Sequence, residues 1–82
     1  METELIKSKV NEILVDKLFI DEEMVKDDAR LVEDLDCDSL DRLEIIIELE
    51  KEFDITISDE RADRCVTVSD VYSMLDELLL FV

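Results

Sequence analysis

The sequence predicts an all-α fold, a small bundle of three longer helices plus one short helix. In several segments the apolar residues recur at spacings of three and four, the period of a helix that buries one face. The chain contains no glycine and no proline, the two residues that most often interrupt helices. Its 82 residues favour one domain over positions 1–82, and a hydrophobic content of 48% is ample for a core.

The first helix is predicted between about Thr3 and Leu18. Its apolar stripe consists of Ile6, Val10, Ile13, Leu14 and Leu18. Charged residues occupy much of the remaining surface, so we expect an amphipathic helix with one face toward the core.

The segment from residue 19 to residue 38 has no sustained period and is long for a connection in a compact domain. We interpret it as an ordered loop containing a helical turn, with Asp27 and Asp28 at turn positions because their side chains bond their own backbone. The apolar anchors predicted for this loop are Phe19, Ile20, Met24, Val25, Leu31, Val32 and Leu35.

The second helix is predicted to begin just after Asp38, a good N-cap residue. Asp41 lies three residues later, so the pair resembles a capping box with Asp in place of Glu. The predicted inward stripe is Leu40, Leu43, Ile46, Ile47 and Phe53. The predicted outward face carries Asp41, Glu44 and Glu48. Residues 53–57 alternate briefly without a partner strand, so we expect an extended connector there.

A short helix is predicted over about residues 59–64, with Ser58 or Asp59 as its cap. The last helix is predicted to begin near Thr67, because Thr67 and Asp70 repeat the capping-box spacing. Its inward stripe is Val68, Val71, Tyr72, Leu75, Leu78 and Leu79.

The charge of the chain restricts its partners. Twenty-five acids against nine bases give a formal net charge of −16, which disfavours nucleic acid and anionic membranes and attracts basic protein surfaces. The N-terminus is amphipathic rather than a signal peptide, and no apolar run is long enough for membrane insertion. Cys37 and Cys65 allow one disulfide, but nothing in the sequence requires it. We therefore expect a soluble, cytoplasmic protein with reduced thiols; its oligomeric state stays open at this point.

Residues 34–41 read DLDCDSLD and place carboxylates at alternate positions, as the start of an EF-hand calcium loop does. The sixth position of that pattern is Ser39 rather than glycine, and the twelfth is Ile45 rather than glutamate. No specific metal site is therefore predicted. Diffuse binding of divalent ions stays open, and an acidic calcium-responsive helical protein is a remote alternative.

Ser39 occupies the first position of the predicted second helix. The chain contains no histidine to act as its base, and the neighbouring carboxylates oppose an alkoxide, so no catalytic residue is predicted. The free amide groups and partial positive charge of a helix N-terminus favour a phosphate ester there. The residues alone leave two interpretations open, a hydroxyl modified by another enzyme and an ordinary serine at a helix start.

The stretch DSLDRLEIIIELEKEFDITISDE, residues 38–60, resembles the prosthetic-group region of acyl carrier proteins. The triplet Asp38-Ser39-Leu40 matches the attachment motif of that family. The stretch ISDERADRCVTVSDV, residues 57–71, resembles its Ile-Pro-Asp-Glu segment, short helix and Thr-Val pair. The resemblance covers essentially the whole chain and implies the acyl-carrier-protein fold.

The resemblance implies that Ser39 carries a phosphopantetheine arm, donated by coenzyme A and attached by a holo-synthase, a phosphopantetheinyl transferase. The chain would then be a non-catalytic carrier that holds acyl groups as thioesters and delivers them to enzymes of fatty acid biosynthesis. These enzymes, or related acyl transferases, would meet it through basic patches. The carboxylates implied in recognition are Asp38, Asp41, Glu44, Glu48 and Glu50. The candidates for an acyl pocket are Ile46, Leu49, Ile57, Cys65 and Val71, although plain core packing is the favoured interpretation of each.

Several positions depart from the family pattern. Asp36 and Cys37 stand where the family often has Gly-Ala, and Ser58 replaces a common proline. Arg42 and Lys51 add positive charge to a face that is usually neutral or acidic. The main alternative is therefore a specialised carrier of a polyketide or of an amino acid unit such as D-alanine. We also expect Cys37 to be an exposed thiol whose acidic surroundings raise its pKa.

Overall fold

A computed structural model describes the backbone of residues 3–80 and the side chains of residues 4–80. Its helices are α1, Thr3–Leu18; α2, Ser39–Phe53; α3, Asp59–Asp63; and α4, Val68–Leu80. A single 3₁₀ turn, Glu22–Met24, is the helical turn expected in the long connection. The described residues contain no β-strand, and none of their helices is long and apolar enough to cross a membrane. The predicted all-α bundle of three longer helices and a short one is confirmed.

The apolar stripes of α1 and α4 form much of the core, as predicted. The stripe residues buried in α1 are Ile6, Val10 and Leu14, and those buried in α4 are Val68, Val71, Tyr72 and Leu75. Met74, which the stripe omitted, is also buried. The two helices are joined by a hydrogen bond that the Tyr72 hydroxyl donates to the Asn11 side chain. The Lys7 ammonium lies 5.3 Å from the centroid of the same aromatic ring.

The buried face of α2 differs from the prediction. The core side is formed by Ile45, Leu49 and Phe53, with Ile46 packed at its edge. The predicted inward residues that are exposed instead are Leu40, Leu43 and Ile47. The sequence of α2 carries two apolar stripes on different faces. The buried stripe has spacings of four residues, and the exposed stripe has spacings of three and four. The prediction is confirmed for Phe53 and partly for Ile46, and it was wrong for the other three residues, because only the packing of α2 in the bundle decides which stripe is buried.

The connection between α1 and α2 is ordered, and the turn predicted at Asp27 and Asp28 is present. The predicted anchors that are buried or partly buried are Ile20, Val25, Leu31 and Leu35. The predicted anchors that are exposed are Phe19, Met24 and Val32. The connection runs over the surface of the bundle, so only side chains on its inner side reach the core.

Backbone hydrogen bonds tie this connection to the start of α4. The amide of Leu31 donates to the Val66 carbonyl at 2.9 Å, and the amide of Val68 donates to the Ala29 carbonyl at 3.0 Å. An isolated antiparallel bridge lies between them. The sequence carried no periodic signal for this pairing, which fixes the loop before it reaches α2.

The predicted caps of α3 and α4 are confirmed. The Ser58 hydroxyl accepts a hydrogen bond from the Arg61 amide at 3.2 Å. In α4, the Asp70 amide donates to the Thr67 hydroxyl at 3.2 Å, and the Thr67 amide donates to the Asp70 carboxylate at 3.0 Å. Hydrogen bonds from the Thr67 and Val66 amides lower the pKa of Asp70. The stability from this carboxylate is therefore present above its ordinary pKa and is lost as the pH falls through the lowered value.

Helices α1 and α2 run antiparallel. Lys9, in the first half of α1, forms an ion pair with Glu52 near the end of α2, with 3.1 Å between the two atoms. Further along α1, Leu14 lines the same cavity as Ile45 and Leu49, which come earlier in α2. The end of α1 therefore lies at the end of the bundle where α2 begins.

Candidate functional site

The chain turns sharply just before α2. Asp36 has a left-handed backbone with φ of 57° and is exposed, whereas Leu35 and Cys37 on either side of it are buried. The Cys37 amide donates to the Leu31 carbonyl at 2.9 Å and closes this turn. Aspartate tolerates left-handed angles better than most residues but less well than glycine, so it substitutes here for the glycine that such a turn favours.

A reciprocal capping box begins α2. The Asp41 amide donates to the Asp38 carboxylate at 2.8 Å, and the Asp38 amide donates to the Asp41 carboxylate at 3.3 Å. The capping box predicted from the sequence is confirmed, and it makes Ser39 the first residue of the helix. Together with the buried Cys37, the box holds the backbone on both sides of Ser39.

Ser39 is exposed, and among the described residues no partner bonds its hydroxyl. It lies at the N-terminus of α2, where the first amide groups lack intrahelical acceptors and the helix dipole places partial positive charge. The chain has no histidine, so no imidazole is available to activate this hydroxyl. The geometry therefore suits a hydroxyl that receives a phosphate-linked group from another protein.

The expectation of an exposed Cys37 was wrong. Its exposed fraction is 3%, and its thiol donates to the Asp38 carbonyl at 3.7 Å. Burial is the main cause that raises the pKa of the Cys37 thiol, and the Asp41 carboxylate adds to it. The side chain is apolar enough to act as an anchor under the turn, a role that free cysteines often take.

The predicted recognition carboxylates differ in their surroundings. Asp38 and Glu44 are exposed, and Asp41, Glu48 and Glu50 are half-buried. The Glu50 carboxylate accepts a hydrogen bond from the Ile57 amide at 2.8 Å, so it ties the connector after α2 to the helix. Glu44 has no such tie to the described residues, and its carboxylate is the freest of the set.

The exposed apolar stripe of α2 lies among these acids. It consists of Leu40, Leu43 and Ile47, which are 64%, 55% and 40% exposed. These residues were predicted to face the core, because their helical spacing alone does not distinguish them from the buried stripe. A mixed surface of apolar and acidic side chains therefore extends along α2 from the turn that holds Ser39.

A small cavity lies behind α2. Four predicted pocket residues line it, namely Ile46, Leu49, Cys65 and Val71. Its volume is about 20 Å³, enough for a single water molecule. Ile57 is buried but does not line it. The cavity is also lined by residues that were not predicted to form a pocket, among them Leu31, Cys37 and Arg42.

Arg42 lies between this cavity and the surface. Its guanidinium approaches the Asp63 carboxylate at 3.4 Å and so joins α2 to the end of α3. Burial raises the pKa of Cys65, another lining residue, which keeps the thiol neutral. The lining is therefore almost wholly apolar, with one cation at its edge.

Comparison with known proteins identifies the family. The model of the phosphopantetheine attachment site matches residues 8–75. An acyl carrier protein of Karelsulcia muelleri is 45% identical over 74 residues, which cover 90% of this chain and 89% of that protein. An acyl carrier protein of Bdellovibrio bacteriovorus is 43% identical over 72 residues, or 88% of this chain and 92% of that protein. The chain belongs to the acyl carrier protein family.

A solved structure agrees with this assignment. A candidate acyl carrier protein of Mycobacterium tuberculosis superposes with a TM-score of 0.82 at 36% identity, over 88% of this chain and 96% of the other. The prosthetic group of the family is phosphopantetheine, and the chain is an acyl carrier that uses it. The first turn of α2 fits the phosphate of this group, because an exposed hydroxyl stands beside amide groups without intrahelical acceptors.

The left-handed angle at Asp36 gives a test of the turn. Asp36→Gly should raise the free energy of unfolding by about 0.5–1 kcal/mol, because glycine adopts this angle without a steric cost. The melting temperature should rise by roughly 3–6 °C in a thermal unfolding experiment. Asp28→Gly is the matched control, since it removes the same charge at an exposed position without a left-handed angle. Its melting temperature should stay the same or fall; equal increases in both variants would contradict the assigned strain.

Proposed function

We propose that Ser39 is the residue that carries phosphopantetheine, and that the chain delivers acyl intermediates to the enzymes of fatty acid biosynthesis. The observation that carries this proposal is the exposed hydroxyl of Ser39 at the capped start of α2, within the triplet Asp38-Ser39-Leu40. The chain itself is not an enzyme in this proposal. It works as a monomer in the cytoplasm, where a phosphopantetheinyl transferase loads it from coenzyme A.

The residues around Ser39 hold the hydroxyl but do not activate it. The bound group supplies a terminal thiol that carries the acyl chain as a thioester. The Ser39 oxygen would attack the phosphorus of coenzyme A that bears the pantetheine, so the new phosphodiester forms as the diphosphate bond breaks and the phosphorylated adenylate leaves. The loading enzyme must supply the base that takes the hydroxyl proton, because the neighbours of Ser39 are carboxylates engaged in the capping box. The amide groups at the start of α2 would favour the negative charge of a phosphate on Ser39.

The surface along α2 supports docking to basic enzymes. Asp38, Asp41, Glu44 and Glu48 supply the negative charge, and the exposed apolar stripe supplies area that a partner can cover. Exposed charge pairs increase the association rate and contribute modest affinity. This combination suits a carrier that must bind and leave several enzymes in turn. Glu50 is a weaker recognition candidate because it lies near the end of α2, far along the helix from Ser39, where its bond to the Ile57 amide holds the carboxylate against the connector.

The cavity supports a second part of the proposal, in which the helices part to shelter an acyl chain. Its apolar lining suits a hydrocarbon, but its volume of about 20 Å³ requires α2 and α3 to move apart. The ion pair between Arg42 and Asp63 crosses this gap and is exposed enough to be weak. Opening would therefore break few strong contacts.

The cation at the edge of the cavity favours a second candidate cargo. The Arg42 guanidinium would accommodate a polar or anionic acyl unit better than a plain hydrocarbon. A specialised carrier of a polyketide unit is therefore the alternative. An amino acid unit such as D-alanine is a further alternative that Arg42 does not favour, because its ammonium group would meet a like charge. The remote alternative of a calcium-responsive protein would need a cluster of metal ligands. In the described part of the chain, no group of three acidic, histidine or cysteine side chains is arranged to hold an ion.

Loading tests the attachment residue directly. The purified apo-protein, incubated with coenzyme A and a phosphopantetheinyl transferase, should gain the mass of one phosphopantetheine in intact mass spectrometry. Ser39→Ala should gain nothing while it keeps its helical circular dichroism. Ser8→Ala, which removes an exposed serine in the first half of α1, is the control and should load as the wild type does. The proposal fails if the wild type gains no mass or if Ser39→Ala still does.

Charge reversal at Glu44 tests the docking surface. Glu44→Lys should lower kcat/KM of loading about tenfold, or ~1.4 kcal/mol, because it places a cation against a basic partner. Circular dichroism should remain helical, and the loss should shrink at high salt because salt screens exposed charges. Glu4→Lys makes the same charge change on α1 at the opposite end of the bundle and should load normally. Equal losses in both variants would show a general effect of net charge and no docking role for Glu44.

A further inference from the structure

Phe19 occupies a position where its backbone angle is strained and its side chain contributes nothing to the core. It follows α1, and its amide donates to the Val15 carbonyl at 3.0 Å. Its φ is 55°, in the left-handed region where glycine usually ends a helix and where a bulky residue is an outlier. Its side chain is 93% exposed, the most exposed large apolar residue in the described part of the chain.

The fold gives no reason for an aromatic side chain at this position. Glycine would adopt the same backbone angle without a steric cost and would remove an apolar ring from water. Strained residues persist where the strain serves a function. An exposed aromatic ring at such a position is therefore a candidate anchor for a partner, since aromatic residues supply much of the binding energy of protein interfaces.

Phe19 lies at the same end of the bundle as Ser39. Helices α1 and α2 are antiparallel, as the pairing of Lys9 with Glu52 requires. The end of α1 is therefore beside the start of α2, and Phe19 directly follows the last residue of α1. A standard interface centred on Ser39 is wide enough to reach the α1 terminus as well.

The charges around Phe19 define what its partner must carry. The exposed acids that precede or follow it in the chain are Asp16, Asp21, Glu22 and Glu23, whereas the nearest base in sequence is Lys17. A surface complementary to this region has an apolar socket with a basic rim. The net charge of −16 opposes both a second copy of this chain and an anionic membrane.

We propose that Phe19 is a docking anchor for the enzyme that loads Ser39, and that it inserts into an apolar socket with a basic rim on that phosphopantetheinyl transferase. This inference rests on the proposed role of Ser39. The loading enzyme must bring its active site to the Ser39 oxygen itself, so its footprint is confined to this end of the bundle. Enzymes that act later would use the thiol at the end of the arm, so their active sites need not reach the Ser39 oxygen.

Loading kinetics and thermal stability together test the anchor. Phe19→Gly should raise the melting temperature by several degrees, because glycine relieves the strain of the left-handed backbone angle. The same variant should lower kcat/KM of loading about tenfold, mainly through a higher KM for the carrier. Phe19→Asn, which tolerates the same backbone angle, should load as poorly as the glycine variant. Phe19→Tyr keeps the ring and should load within about threefold of the wild type. Leu5→Gln is the control, since Leu5 is an exposed leucine (51%) at the opposite end of α1.

The outcomes separate this inference from the proposal on which it rests. If the wild type gains no arm at saturating transferase and coenzyme A, the role of Ser39 fails and the anchor fails with it. If the wild type loads and Phe19→Gly loads equally well, only the anchor is overturned. A lower melting temperature for Phe19→Gly would also overturn it, because the ring would then stabilise the fold. A dimer of the wild type that Phe19→Gly abolishes, seen by sedimentation, would assign the ring to a second copy instead.

Discussion

The exposure of Ser39 depends on the reciprocal hydrogen bonds between Asp38 and Asp41. These bonds satisfy two backbone amides at once and start α2 at a fixed residue. The left-handed turn at Asp36 and the buried side chain of Cys37 fix the chain just before the box. Ser39 is therefore presented on a rigid backbone while its side chain faces solvent, although the connection that leads to it is long and mostly irregular.

Helix α2 has two apolar faces with different roles. Ile45, Leu49 and Phe53 attach one face to the core, whereas the exposed apolar stripe and the acids around it occupy another face. A partner that binds the second face does so close to the residue that we propose carries the prosthetic group. The strong net charge, which costs the folded state some self-repulsion, is used in this proposal to direct the chain toward basic enzymes.

The helices could be predicted from the sequence because their signals are local. Apolar spacing located α1 and α4, and short side chains at Ser58 and Thr67 marked the starts of later helices. The buried face of α2 could not be predicted, because three consecutive isoleucines at residues 45–47 and the leucines before them satisfy two stripes. The exposures of Phe19 and Cys37 were also mistaken, because they depend on how an irregular segment lies over the bundle. The triplet Asp38-Ser39-Leu40, on which the proposed attachment rests, could be recognised from adjacent residues, but the place of Arg42 beside the cavity depends on tertiary packing alone.

Amide hydrogen exchange at the start of α2, resolved by NMR, tests the central role of the capping box most directly. The Asp41 amide bonds the Asp38 carboxylate at 2.8 Å, whereas the Leu40 amide lies in the first turn without an intrahelical acceptor. We expect the Asp41 amide to exchange at least tenfold more slowly than the Leu40 amide, and Asp38→Ala to remove most of that difference. Equal exchange rates for the two amides in the wild type would contradict a rigid, capped start of α2.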